Sequence, residues 1–239
     1  MEEEKKEKKE SDKKEIEDLS AEEWFKKGLK AKNIEEEILC FQKSIEKDPN
    51  NPSAWNNLGI ALYDSGRQEE AIQCFVRALE IDSYYTDGLF NLGYALMQNR
   101  RFREASQCFE RILKVNEKDF NAWVNLGYTL YGMKEYEKAE KSIMKAIELS
   151  PDNPSGWYNL GLLYYAQEEF EKSMECFEKV LELQPENMQA LNNIGIIYGR
   201  LGQLDKAIDV FDRVLSVEPD NQVAQFNRQF IIQRKEVEG

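Results

Sequence analysis

The sequence predicts an all-α solenoid of stacked antiparallel helix pairs, and three observations carry that prediction. Glycines recur at 34-residue intervals, at Gly59, Gly93, Gly127, Gly161 and Gly195. Apolar residues surround each one at spacings of three and four, as in Trp123, Leu126, Gly127 and Leu130, which places one apolar stripe along a helix. Helix breakers separate the periodic stretches, at Pro49, Pro151, Pro185 and Pro219. A self-similar period of this length marks an architecture in which each unit buries its apolar face only against its neighbours.

Residues 1–20 come first. Positions 2–18 hold nine acids and six lysines, too few apolar groups to offset the entropy of ordering, so a charged tail without stable order is expected. Six units follow, at 21–51, 52–85, 86–119, 120–153, 154–187 and 188–221. In each, a first helix carries a large apolar residue four places before the glycine: Trp24, Trp55, Leu89, Trp123, Trp157 and Leu191. After a short polar turn, such as Asp64-Ser65-Gly66-Arg67, a second helix carries a small residue and then a large one four places on. These pairs are Ala71 and Phe75, Ala105 and Phe109, Ala139 and Ile143, Ser173 and Phe177, and Ala207 and Phe211. A mid-helix glycine costs about 1 kcal/mol relative to alanine, so a close approach of the two helices is expected at that column. The first unit departs from the frame. It is three residues short between Gly28 and Glu37, which predicts a tighter turn, and Glu37 replaces the small residue, which predicts looser packing. Residues 222–239 predict a capping helix, with Phe226, Phe230 and Ile231 expected to cover the sixth unit and Gln225, Arg228, Gln229 and Gln233 to face water.

The W-x2-L-G pattern, the small-residue column, the Phe column and the closing Pro resemble the tetratricopeptide repeat over residues 21–221. The resemblance implies a right-handed superhelical solenoid whose first helices line a concave side, and a function in protein–protein interaction. Co-chaperones of this family grip a C-terminal carboxylate with a clamp of Lys, Asn and Arg. Here the clamp positions fall at Phe25, Leu29, Asn57, Asp87 and Asn91, of which only Asn57 matches, so a co-chaperone-like module is a secondary alternative.

Composition narrows the function further. The chain has no His, which removes Ser–His and Cys–His nucleophile pairs, His general bases and His metal ligands. With no Gly-rich phosphate loop either, the expectation is a non-enzyme with no cofactor and no metal. A net charge of −13 argues against a nucleic-acid partner. No run of eighteen apolar residues predicts a membrane span, and the charged start Met1-Glu2-Glu3-Glu4-Lys5-Lys6 lacks a signal-peptide core, so the cytoplasm is the expected compartment. Cys40, Cys74, Cys108 and Cys176 each precede the second-helix Phe. Equivalent places in stacked units lie about 10 Å apart, too far for a disulfide or a shared zinc, so free, partly buried thiols are expected. Arg100, Arg101 and Arg103 read as a solvated turn.

Two column sets are candidates for binding a protein or peptide partner. An Asn stands two places before each regular glycine: Asn57, Asn91, Asn125, Asn159 and Asn193, with Asn227 continuing the series. Two residues turn about 200° around a helix, which puts these amides opposite the Trp column, where a donor pair and an acceptor could hold a peptide main chain. Phe90, Tyr94, Tyr128, Tyr131, Tyr158 and Tyr165 flank them, joined by Met97, Tyr63 and Leu162. Aromatic residues with polar tips favour binding surfaces. The expected function is an adaptor or scaffold holding an extended peptide in a concave groove. The alternative is a self-associating subunit of a larger complex, a homo-oligomer.

Overall fold

The structure, a computed structural model, describes residues 19–238. The charged tail at 1–18 lies outside them. Every regular element among the described residues is an α-helix. Contacts divide the chain into two compact units, residues 1–117 and 118–239.

The first unit holds α1 (Ala21–Gly28), α2 (Ile34–Lys47), α3 (Pro52–Asp64), α4 (Gln68–Ile81), α5 (Thr86–Gln98) and α6 (Phe102–Val115). The pairs α1/α2, α3/α4 and α5/α6 pack most closely, and each pair leans on the next through α2/α3 and α4/α5. The second unit holds α7 (Phe120–Gly132), α8 (Tyr136–Leu149), α9 (Pro154–Ala166), α10 (Phe170–Leu183), α11 (Met188–Arg200), α12 (Leu204–Val217) and α13 (Gln222–Glu238). Its pairs are α7/α8, α9/α10 and α11/α12, with α13 packed on α12.

Most first helices begin with a side-chain cap. Ser20 and Glu23 form a reciprocal capping box at α1. Asn51, Asp119, Asn153, Asn187 and Asn221 each accept a backbone N–H from the first turn that follows. Second helices after the first pair begin instead from a tight turn at Arg67, Arg101, Glu135, Glu169 and Gln203, without a side-chain cap. The residue that opens that turn has positive φ in all five cases, at Gly66, Arg100, Lys134, Glu168 and Gly202.

The glycine column gives the close approach that the sequence predicts. A Cβ placed on Gly59 would lie 2.5 Å from Phe75, and one on Gly127 would lie 2.4 Å from Ile143. Those second-helix residues are wholly enclosed, as are Phe41, Phe109, Phe177 and Phe211 in the same column. Ser173, in the small-residue column, is also buried and donates its hydroxyl to the Gly161 carbonyl at 2.7 Å.

Two expectations are corrected. The shortening of the first repeat, residues 21–51, does not tighten its turn. α1 ends at Gly28 itself, so the last turn of the helix is missing, and residues 29–33 form a longer connection than the three residues 65–67 between α3 and α4. Glu37 is half-buried there, and burial first, then the Asp64 charge, push its carboxyl above the ordinary range. The second correction concerns α13. Ala224 and Ile231 are buried beneath it, but Phe226 is 73% exposed and Phe230 56% exposed. The two rings lie beside the contact rather than in it.

All four cysteines are free thiols and are buried more completely than expected. Burial pushes Cys74 and Cys108 up to about 11 and Cys176 to about 12. Neutral thiols of this kind are poor nucleophiles at neutral pH.

A candidate peptide-binding face

The Asn column sits in the middle of the first helices, where asparagine has poor helical propensity. The structure shows how that cost is met locally. Asn57, Asn125, Asn159 and Asn193 each donate Nδ2–H to the backbone carbonyl four residues earlier, at Ser53, Asn121, Ser155 and Gln189, over 2.8–2.9 Å. One donor is thereby spent and the amide plane is fixed. For Asn57, Asn125 and Asn159, the oxygen and the second N–H make no further hydrogen bond among the described residues. Asn91 behaves differently: its Nδ2–H goes to Asn56 Oδ1 in the preceding first helix, at 2.9 Å. Asn193 adds a second link of that type, to the Tyr158 hydroxyl at 3.2 Å.

The aromatic column divides by exposure. In the first unit Tyr94 is 41% exposed and meets Tyr63 edge-on at 6.2 Å, while Phe90 is half-buried against Phe109 at 6.1 Å. In the second unit Tyr128 is 39% exposed and lies 6.1 Å from Tyr131. Tyr131 is half-buried, and burial, followed by Tyr136 and Tyr128, raises its phenol above the ordinary value. Tyr158 and Tyr165 are half-buried against Phe177 and Phe170, with ring centroids 5.5 and 5.8 Å apart. Met97, expected beside these rings, is buried and belongs to the core. Asn57, Phe90, Asn91 and Tyr94 thus belong to the first unit, and Asn125, Tyr128, Tyr131, Tyr158, Asn159, Tyr165 and Asn193 to the second.

Sequence reasoning missed Phe226 and Phe230 as surface residues. The signal was available. They stand 34 residues beyond Asn192 and Ile196 and 136 beyond Phe90 and Tyr94, in the two aromatic columns that flank the asparagines. Asn227 stands between them, in the asparagine column.

In the arginine-rich turn, Arg101 is paired within its own surroundings. Arg101 holds Glu104 through two bonds of 2.8 Å and approaches Glu69 at 3.9 Å. Among the described residues, no cluster of three or more Cys, Asp or Glu side chains is placed to hold a metal ion. Nor is any helix there long and apolar enough to cross a membrane.

Antiparallel helix pairs joined through a contact of glycine with Phe or Ile, repeated at a 34-residue period, define a tetratricopeptide-repeat protein, a fold class that serves as a protein–protein interaction scaffold. The chain belongs to the family of the cilia and flagella-associated protein 70 C-terminal domain, whose pattern matches residues 17–237. Several solved structures share the fold. The chain is similar to pilF of Pseudomonas aeruginosa, with a TM-score of 0.69, 20% identity, and 87% of this chain and 96% of that one covered. It is similar to a chain of the APC/C hetero-tetramer Cut9-Hcn1, with a TM-score of 0.71 and 19% identity over 89% of this chain and 42% of that one. It is also similar to YrrB, a TPR protein with an unusual peptide-binding site, with a TM-score of 0.58 and 22% identity over 79% and 97% of the two chains. No curated protein matches the sequence.

Proposed function

We propose that the Asn and aromatic columns of the first helices hold an extended peptide segment of a partner protein, so that the chain acts as an adaptor. One observation carries this reading: Asn125 and Asn159 in the second unit, and Asn57 in the first, spend one N–H on their own helix and keep an oxygen and a second N–H uncommitted. An amide in that state can accept a peptide N–H and donate to a peptide carbonyl without reorganising. The half-exposed rings of Tyr94 and Tyr128 supply flat apolar contact beside these amides. The family is named for a protein associated with cilia and flagella, which makes proteins of those assemblies the first source of partner segments.

The test uses the full chain and a library of random 12-residue peptides displayed on phage. The tightest peptide is remeasured against the double variant Asn125→Ala, Asn159→Ala. Each lost bond should cost about 1 kcal/mol, so affinity should fall by one to two orders of magnitude while the melting curve stays in place. Unchanged affinity refutes the amide role.

A further inference from the structure

The outward side of α13 carries two exposed aromatic rings, Phe226 and Phe230. Ala224 and Ile231 hold the helix down, and Arg228 and Lys235 fasten its flanks to Asp212 and Asp205. Phe226 and Phe230 take no part in that attachment and present most of their surface to solvent. Beside them a cavity of about 440 Å3 opens between α11 and α13, lined by Ile196, Gly199, Arg200, Phe226, Asn227 and Phe230 among others.

The cavity has a cause in the sequence. Gly199 occupies the column that holds Tyr63, Met97, Tyr131 and Tyr165 in the earlier units. A Cβ there would lie 2.6 Å from Ile231 Cδ1, so the glycine admits the close seating of α13. Ile231 takes the place of the side chain that this column carries elsewhere, and Phe226 and Phe230 stand as walls of the cavity beside it. The guanidinium of Arg234 lines the same cavity and donates to the Gly199 carbonyl at 2.7 Å. Arg200 lines it too, is exposed, and makes no ion pair among the described residues. In a chain of net charge −13, an uncompensated arginine beside an apolar cavity is complementary to a carboxylate. Asn227 supplies a third feature. Its counterpart Asn91 donates to Asn56 Oδ1 in the preceding first helix. Asn192, which corresponds to Asn56, instead has a buried Oδ1 with no partner, and the Asn227 side chain makes no hydrogen bond among the described residues.

We propose that this cavity anchors one large apolar side chain of a partner peptide, aromatic by preference, with a neighbouring Asp or Glu held by Arg200 and the peptide main chain met by Asn227. The anchor rests on the peptide-binding reading and assigns its specificity to the C-terminal end of the second unit. Volume supports the match, since cavities of some 300–1,000 Å3 accept compact ligand groups. A ring wedged between two phenylalanines gains edge and face contacts in addition to burial.

The same displayed 12-residue library tests it. Selected peptides should be enriched in an aromatic residue next to Asp or Glu. Phe230→Ser should weaken the best peptide about thirtyfold, as loss of a central aromatic anchor does. Arg200→Glu should weaken it about tenfold and flatten its salt dependence. Both positions are exposed, so circular dichroism melting should be unchanged. Peptides that lose affinity in the Asn125→Ala, Asn159→Ala variant but not in Phe230→Ser overturn the anchor and leave the peptide-binding face standing. Sensitivity to Phe230→Ser alone supports the anchor and removes the amide role. Insensitivity to both, or no selected peptide, removes the two together. A concentration-dependent dimer in light scattering that Phe230→Ser abolishes assigns the surface to a second copy and overturns the proposal.

Discussion

Replacing Gly127 by alanine tests the physical basis of the whole array. Judged by helix propensity alone, the substitution should stabilise α7 by about 1 kcal/mol. The structure predicts the opposite sign. The added Cβ would lie 2.4 Å from Ile143 Cγ1 and 3.3 Å from the Ala139 backbone oxygen. Carbon pairs rest at about 3.5–4.0 Å, so the overlap with Ile143 exceeds 1 Å. Ile143 is enclosed, its β-branched side chain has little rotamer freedom, and the carbonyl blocks retreat on the other side. Overpacking of this severity belongs near the upper end of the usual ~1–3 kcal/mol, leaving a net loss of about 2 kcal/mol. The assay is urea unfolding, with hydrogen exchange in α7 and α8 as the local readout, because repeat arrays lose cooperativity between units. A double-mutant cycle supplies the decisive comparison. Ile143→Ala alone should cost about 2–5 kcal/mol, and adding Gly127→Ala to it should cost nothing or recover part of the loss. Additive penalties would show that the close approach is not the reason for the glycine, and the explanation offered for all six units would fail.

The left-handed turn residues Lys134 and Glu168 should each gain up to about 1 kcal/mol when changed to glycine, read as a rise in the urea midpoint. Gly66→Ala should lose a similar amount, although nothing lies near its missing Cβ. The buried thiols predict a pH dependence. The unfolded chain ionises its thiols first, near 9, whereas Cys74 and Cys108 ionise at about 11 when folded. Their stabilising contribution is therefore complete below pH 9 and lost as pH rises through 11, which urea midpoints between pH 8 and 11 will show. Under denaturing, non-reducing conditions a thiol reagent should count four thiols; a lower count would contradict the free state of the column. Trp24 and Trp157 offer a matched pair. Trp157 donates its indole N–H to the Pro151 carbonyl at 2.8 Å, whereas the buried Trp24 N–H has no partner. Trp24→Phe should therefore cost about 1 kcal/mol less than Trp157→Phe, measured on the same unfolding curves.

Much of this molecule is legible in its period. A 34-residue frame read from the glycines locates both helices of a unit, the enclosed Phe column and the cysteines, because each depends on contacts within one pair or with its neighbour. Features that depend on an exception to the frame were harder to read. Three missing residues between Gly28 and Glu37 can shorten either a loop or a helix. The choice falls on the helix because the Gly28–Phe41 contact fixes where α1 must cross α2, while nothing requires the turn that would follow it. Met97 shares a column with Tyr131 and Tyr165, yet its flexible chain folds into the core where the rings stay half-exposed. The turn column that reaches positive φ holds Gly at 66 and 202 but Arg, Lys and Glu between them, so composition alone hides the shared geometry. At α13 the apolar residues read as a cover, because spacing alone does not tell an attached face from a free one.

The glycine contact also separates two kinds of change along the chain. The columns that face the partner helix of the same pair vary little, holding Phe or Ile opposite the glycine and, after the first repeat, Ala or Ser in the small-residue place. The aromatic columns beside the asparagines already hold Phe, Tyr, Val, Leu, Ile, Met, Asn and Gly at different repeats without disturbing the helices that carry them. The scaffold is thus modular in its chemistry as well as in its length. The exposed members of these columns can be exchanged one repeat at a time while the glycine contacts that set each pair are kept.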